Sequence, residues 1–154
     1  MEERVIASIN DADKVLIGIG ENWDGDERAE AAYRSLLELI KDKDYYIVSL
    51  CRDGVIEKIE FDGSRVVTPN DETDEKWEAY NQWLSRTLNR NLCLLELGVG
   101  LKYPTIIRWP FEKIAFFNNK AVMYRVHKSL YQSTEELGDK CIGIKADPLD
   151  YVIQ

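Results

Sequence analysis

The chain predicts an α/β fold, a doubly wound and mostly parallel sheet of six strands with helices on both faces. Three observations predict it. Short apolar runs of strand length alternate with amphipathic stretches along all 154 residues, the rhythm of repeated strand–helix–strand units. The apolar runs Lys14–Gly20 and Leu92–Gly98 carry too few polar residues for strands that face water on one side, which suits strands covered on both faces. Both runs end in a Gly-x-Gly turn, Gly18-Ile19-Gly20 and Gly98-Val99-Gly100.

Each element follows in order. Residues 2–12 read as a short leading helix and Lys14–Gly20 as the first, buried strand. Asp26–Lys41 is the first long helix, because Ala29, Ala32, Tyr33, Leu36, Leu37 and Ile40 recur at helical spacing. Tyr45–Leu50 is the second strand, Asp53–Phe61 a short helix or turn, and Arg65–Thr68 a third strand closed by Pro69. Thr73–Asn89 is a helix with acids in its first turn, where the helix dipole favours them. Trp77, Tyr80, Trp83, Leu84 and Leu88 line one side of it. Leu92–Gly98 is the fourth strand. Pro110 opens a helix to about Asn118, since proline is tolerated in a first turn. Ala121–Val126 and Lys140–Ala146 are the fifth and sixth strands, and Asp147-Pro148 starts a terminal helix. Six strands in this rhythm fit the Rossmann-like order 3-2-1-4-5-6, which makes strands one and four neighbours at the switch point, where ligands of open α/β sheets sit. The length and the lack of a linker predict one domain over residues 1–154.

Composition narrows the function classes. The net charge is −8, and residues 1–77 carry −10 of it while residues 78–154 carry +2. An acidic chain repels polyphosphate backbones, so nucleic acid is not an expected partner. No apolar run is long enough to span a bilayer. The start MEERVIASIN lacks the basic region and apolar core of a secretory signal. Cys51, Cys93 and Cys141 are widely spaced, with His127 as the sole histidine. That pattern argues against a zinc site and for reduced thiols in the cytoplasm.

The candidate ligand residues collect at one edge of the sheet. Gly98 and Gly100, with Lys102, Arg108, Arg125 and Lys128, are expected at or beyond the C-terminal ends of strands four and five, where backbone amides and bases suit a phosphate or carboxylate. The same glycines serve equally to turn the chain, and the bases to pair with the acidic first half. Gly18 and Gly20 read either as a nucleotide contact or as a tight strand end. His127 ends the fifth strand and reads either as an adenosine contact or as a lone exposed histidine. Glu96 is either a buried, paired acid or a group aimed at the cleft. Cys51, beside Arg52, is read as a structural thiol, with Cys93 and Cys141 in the core. The Trp77, Tyr80 and Trp83 face is expected to pack on the sheet, and any exposed part of it would serve a second copy or a protein partner.

The run Leu95-Glu96-Leu97-Gly98-Val99-Gly100, followed by Tyr103-Pro104, Ile106-Ile107-Arg108 and Pro110-Phe111, resembles the late nucleotide-binding loop of a bacterial branch of the sirtuin superfamily, the NAD-dependent protein deacylases and their ADP-ribosyl-transferring relatives. The likeness runs from about Asp74 to the C-terminus. It implies the sirtuin-type NAD-binding fold, with NAD or ADP-ribose as ligand held at Gly18, Gly20, Gly98, Gly100, Lys102, Arg125 and His127. Three departures go with it. After Gly18 and Gly20, where the family continues its glycine-rich loop, this chain has Glu21, Asn22, Trp23 and Asp24. Where the family places an Asn-x-Asp and then a catalytic histidine, it has Ser49-Leu50-Cys51-Arg52-Asp53-Gly54. The family's inserted zinc module has no counterpart. The resemblance therefore implies a shortened, catalytically silent member that binds a nucleotide or a protein, with no catalytic or metal-binding residue. The alternative is an NAD-consuming glycohydrolase or ADP-ribosyltransferase that uses Glu21, Asp24 or Asp53 as base. A domain for some other small nucleotide or acid is a third reading.

Overall fold

In a computed structural model, which describes residues 1–71 and 74–154, six parallel strands run in the order β3-β2-β1-β4-β5-β6. They are β1 (Lys14–Ile19), β2 (Asp44–Ser49), β3 (Val66–Val67), β4 (Leu92–Leu97), β5 (Val122–His127) and β6 (Cys141–Lys145). The expected topology is the observed one, with β1 and β4 adjacent. Helices α1 (Glu3–Asp11), α2 (Ala29–Ile40) and α5 (Pro148–Ile153) cover one face, and α3 (Asp74–Ser85) and α4 (Arg108–Phe117) the other. Among the described residues, no helix is long and apolar enough to cross a membrane.

The period-two geometry of a strand divides the core. In β4, Cys93, Leu95 and Leu97 join Val5, Ile9, Leu36 and Val152, whereas Leu92 and Leu94 join Tyr80, Trp83, Phe111 and Ala115. Tyr80 and Trp83 lie on Tyr46 of β2, with ring centroids 5.4 and 5.1 Å apart. The Trp83 indole donates to Asp44 at 2.8 Å. These two aromatics are therefore core, as expected, and their bulk anchors α3.

Several boundaries differ from expectation, each for a local reason. Helix α2 starts at Ala29 because the Asp26 side chain accepts from the Arg28 amide and the Asp26 carbonyl from Ala29, which closes a turn before the helix. The expected start of α3 at Thr73 lies outside the described residues. Helix α3 ends at Ser85, four residues early, where the Arg86, Thr87 and Arg90 amides close tight turns and Asn89 adopts a φ of 62°. Leu88 is thereby exposed rather than on the packed face. Residues 53–61 contain only the short turn Ile56–Lys58. Pro110 lies in the first turn of α4, two residues after its start.

One row across the sheet sets how closely the α3–α4 layer approaches. The register aligns Val48, Gly18, Glu96, Arg125 and Gly143. A side chain at Gly18 would meet Ile107 at 2.7 Å and Phe111 at 3.0 Å, and both are fully buried. Gly18→Val should destabilise the fold by about 1–3 kcal/mol through overpacking, read as a lower midpoint in urea denaturation. An unchanged midpoint would refute the close approach of α4.

Candidate functional site

The C-terminal edge of β1, β2, β4, β5 and β6 gathers the loops in which the candidate residues lie. At its centre β1 and β4 continue past their last ladder pair, because the Gly20 amide donates to the Leu97 carbonyl at 3.0 Å. Gly20 lies directly against the Gly98 carbonyl, so a side chain there would collide with backbone. Gly98 has a φ of 75°, in the left-handed region that favours glycine. A side chain on it would meet Asn22 Oδ1 at 2.6 Å and Pro148 Cγ at 2.8 Å. Gly20 and Gly98 are thus packed against the chain itself. Gly18 lies on the other side of the sheet edge, under α4, and its place is one of packing. Gly100 differs, since the nearest atoms to a side chain there are Glu21 Oε1 at 3.9 Å and Leu130 at 4.0 Å.

The loop after β1 is held shut by its own acids. Asp24 accepts from the amides of Arg52 at 2.8 Å and Asp53 at 3.1 Å. Asp53 accepts in turn from Gly25 at 2.9 Å and Val55 at 3.1 Å. Trp23 does not face the crevice. Its indole is fully buried and packs at a tilt of 49° against Tyr33 of α2, with ring centroids 4.9 Å apart. Of Glu21, Asn22, Trp23 and Asp24, Asn22 borders Gly98 and Glu21 borders Gly100. One oxygen of Glu21 is buried with no donor among the described residues.

The basic candidates are mostly committed elsewhere. Arg125 is buried in mid-sheet rather than at its edge, with Nε 2.8 Å and Nη2 3.1 Å from the two oxygens of Glu96. It also donates to the Gln132 carbonyl at 3.1 Å and lies 3.4 Å from Glu112. Arg108 is buried and donates to the carbonyls of Val99 and Leu130, both at 2.9 Å. These two arginines clamp the return loop 128–134 over β5 and β6, where the Tyr131 carbonyl sits on Gly143. His127 is half-buried, and its Nδ1 accepts from Ser129 at 3.0 Å and Leu130 at 2.8 Å. Burial and the Arg108 charge lower its pKa, in keeping with a neutral ring that accepts. Lys128 pairs with Asp147 at 3.2 Å. Lys102 is exposed, 5.4 Å from the Tyr103 ring, and forms no ion pair among the described residues. The structure therefore brings Gly20, Gly98, Gly100 and His127 to one edge. It removes Arg125 and Arg108 into the core, because Glu96 and backbone carbonyls satisfy them there.

Cys51 is buried, donates to the Gly20 carbonyl at 3.4 Å and has its pKa pushed up to about 11 by burial. Arg52 does not activate it. Sequence reading expected backbone amides at Gly98 and Gly100 and missed those of Glu21 and Asn22. The N–H groups of Val99, Gly100 and Leu101, and of Glu21 and Asn22 at the start of the turn Glu21–Trp23, have no acceptor among the described residues. The two loops that meet at Gly100 thus carry amides with no acceptor among the described residues, which leaves them available to an anion. Only the Gly-x-Gly pattern hinted at them.

No protein-family model matches the chain. A stretch of 48 residues, 30% of the chain, is 44% identical to a protein of Fusarium oxysporum f. sp. cubense described as a probable bifunctional ADP-ribose hydrolase/ADP-ribosyltransferase. The match spans 8% of that protein's length.

The buried pair yields a test. Burial pushes the Glu96 carboxyl above the ordinary carboxylate range, against the pull of Arg125. With Arg125 removed that upward shift grows. A raised folded-state pKa costs stability as pH rises through it. Arg125→Met should therefore lose about 3–5 kcal/mol at neutral pH, and less near pH 4, where Glu96 keeps its proton. Urea denaturation at both pH values reads the difference, and an equal loss at each would refute it.

Proposed function

We propose that the chain is a sirtuin-like domain that binds ADP-ribose or NAD at the Gly100 edge without turning it over. The observation that carries this reading is the set of unpaired amides at Val99, Gly100 and Leu101 beside those of Glu21 and Asn22, at the β1–β4 switch point. The pyrophosphate lies along these amides, with Lys102 at the rim supplying positive charge. The short stretch of identity to a protein described as acting on ADP-ribose supports this ligand class.

The absence of turnover rests on how the acids are used. A general base needs a carboxylate free to take a proton within reach of the ligand. Asp24 and Asp53 are occupied as acceptors of backbone amides. The loop directly after β2, Leu50-Cys51-Arg52-Asp53-Gly54, carries no histidine. A second reading, NAD hydrolysis with Glu21 as base, rests on the one carboxylate beside Gly100 that has an oxygen without a donor.

Titration with NAD, ADP-ribose and AMP, followed by thermal unfolding, tests the binding. A hundredfold excess over Kd should raise Tm by roughly 5–10 °C. Gly100→Glu should abolish the rise while the unliganded variant still folds, since a Cβ at Gly100 has no atom nearer than Glu21 Oε1 at 3.9 Å. No shift with millimolar ligand would sink the proposal. Nicotinamide released from NAD by the wild type and lost in Glu21→Gln would replace it with the second reading.

A further inference from the structure

Large apolar side chains are exposed unevenly on this molecule. Of the seven exposed large apolar side chains among the described residues, Leu101, Tyr103, Trp109, Phe116 and Phe117, at 56, 39, 58, 48 and 60% exposure, lie in α4 or the loop that leads into it, and Leu88 and Ile153 lie elsewhere. Trp109 and Phe116, seven residues apart, share one side of α4. Phe116 and Phe117 meet edge to face at 5.1 Å and border a groove of about 320 Å³ between α4 and the turn Glu135–Lys140. The groove floor includes Leu137, and its walls include Lys113 and Glu136.

We infer that this face joins two copies of the chain about a two-fold axis, with Phe117 of each copy seated in the groove of the other. Two arguments select a second copy as the occupant. The first is charge. Lys113 stands on the α4 wall and Glu136 on the opposite wall, both exposed, and neither forms an ion pair within the chain among the described residues. A two-fold axis sets each lysine opposite the glutamate of the other copy, so one surface satisfies both signs. An acidic peptide or an anionic lipid surface would match the lysine alone. The second is area. Trp109, Phe116 and Phe117, each about half exposed, offer on the order of 300 Å² of apolar surface, a hydrophobic centre for the roughly 800 Å² that each partner gives to a standard interface. This assignment does not depend on nucleotide binding.

Sedimentation equilibrium of the full chain from micromolar to millimolar concentration tests it. The wild type should dimerise, and Phe117→Glu should weaken the dimer by more than about tenfold. Phe117 is exposed, so its substitution should leave the monomer folded, with circular dichroism and Tm as the check. Trp109→Arg serves as a second variant where that check fails. Lys113→Glu and Glu136→Lys should each weaken association, and the double exchange should restore it. A chain that stays monomeric to millimolar concentration overturns the inference. So does a dimer indifferent to Phe117→Glu and Trp109→Arg, or a double exchange that fails to restore association.

Discussion

The buried pair between Glu96 and Arg125 is the constraint on which the α3–α4 side of this molecule depends. Two charges in mid-sheet are tolerated only when their hydrogen-bonding groups are satisfied. Glu96 uses both oxygens on the guanidinium, which also reaches the Gln132 carbonyl and approaches Glu112. Each further contact ties down another segment. Glu112 belongs to α4, and Gln132 to the loop that returns across β5 and β6. Gly18 and Gly143 flank the pair in the same cross-sheet row, and their missing side chains let α4 and the return loop come down onto the sheet.

The sheet edge inherits its shape from that arrangement. Arg108, at the first residue of α4, bonds the Val99 carbonyl on one side and the Leu130 carbonyl on the other. With the Val99 carbonyl held from below, the loop after β4 leaves the amides of Val99, Gly100 and Leu101 without acceptors among the described residues, whereas the Ser129 and Leu130 amides after β5 bond His127. The loop after β1 closes the adjoining space in a different way. Asp24 and Asp53 turn away from the crevice and satisfy amides of their own and neighbouring loops. A segment that reads as electrostatically hostile to a phosphate thus spends Asp24 on backbone amides, while Glu21 keeps a carboxylate beside Gly100.

The exposed aromatic side of α4 is the outer surface of the same helix whose inner surface, through Ile107, Phe111 and Ala115, presses on Gly18 and β4. Packing that fixes the inner face therefore fixes the outer one. A rigid, preformed apolar surface loses little entropy when it is covered.

Most of the architecture was legible in the sequence. The number and order of the strands, their burial on both faces and the packing of Tyr80 and Trp83 follow from apolar periodicity, which records the faces each element must bury. Helix ends were less legible, because α2 and α3 begin or stop at turns closed by particular backbone and side-chain bonds rather than where periodicity fails. Within the candidate site, the sequence by itself placed Gly20, Gly98, Gly100 and His127 at the C-terminal edge of the sheet, since strand ends lie there, and it placed Arg108 and Arg125 there as well. Only the tertiary structure decided what they face. Arg125 and Arg108 find hydrogen-bond partners in the core, Trp23 packs against Tyr33, Gly98 meets Asn22 and Pro148, and Gly100 stays open. The physical reason is that a strand dictates where a side chain starts and on which face, while its partner comes from a segment distant in the chain, brought near by packing alone.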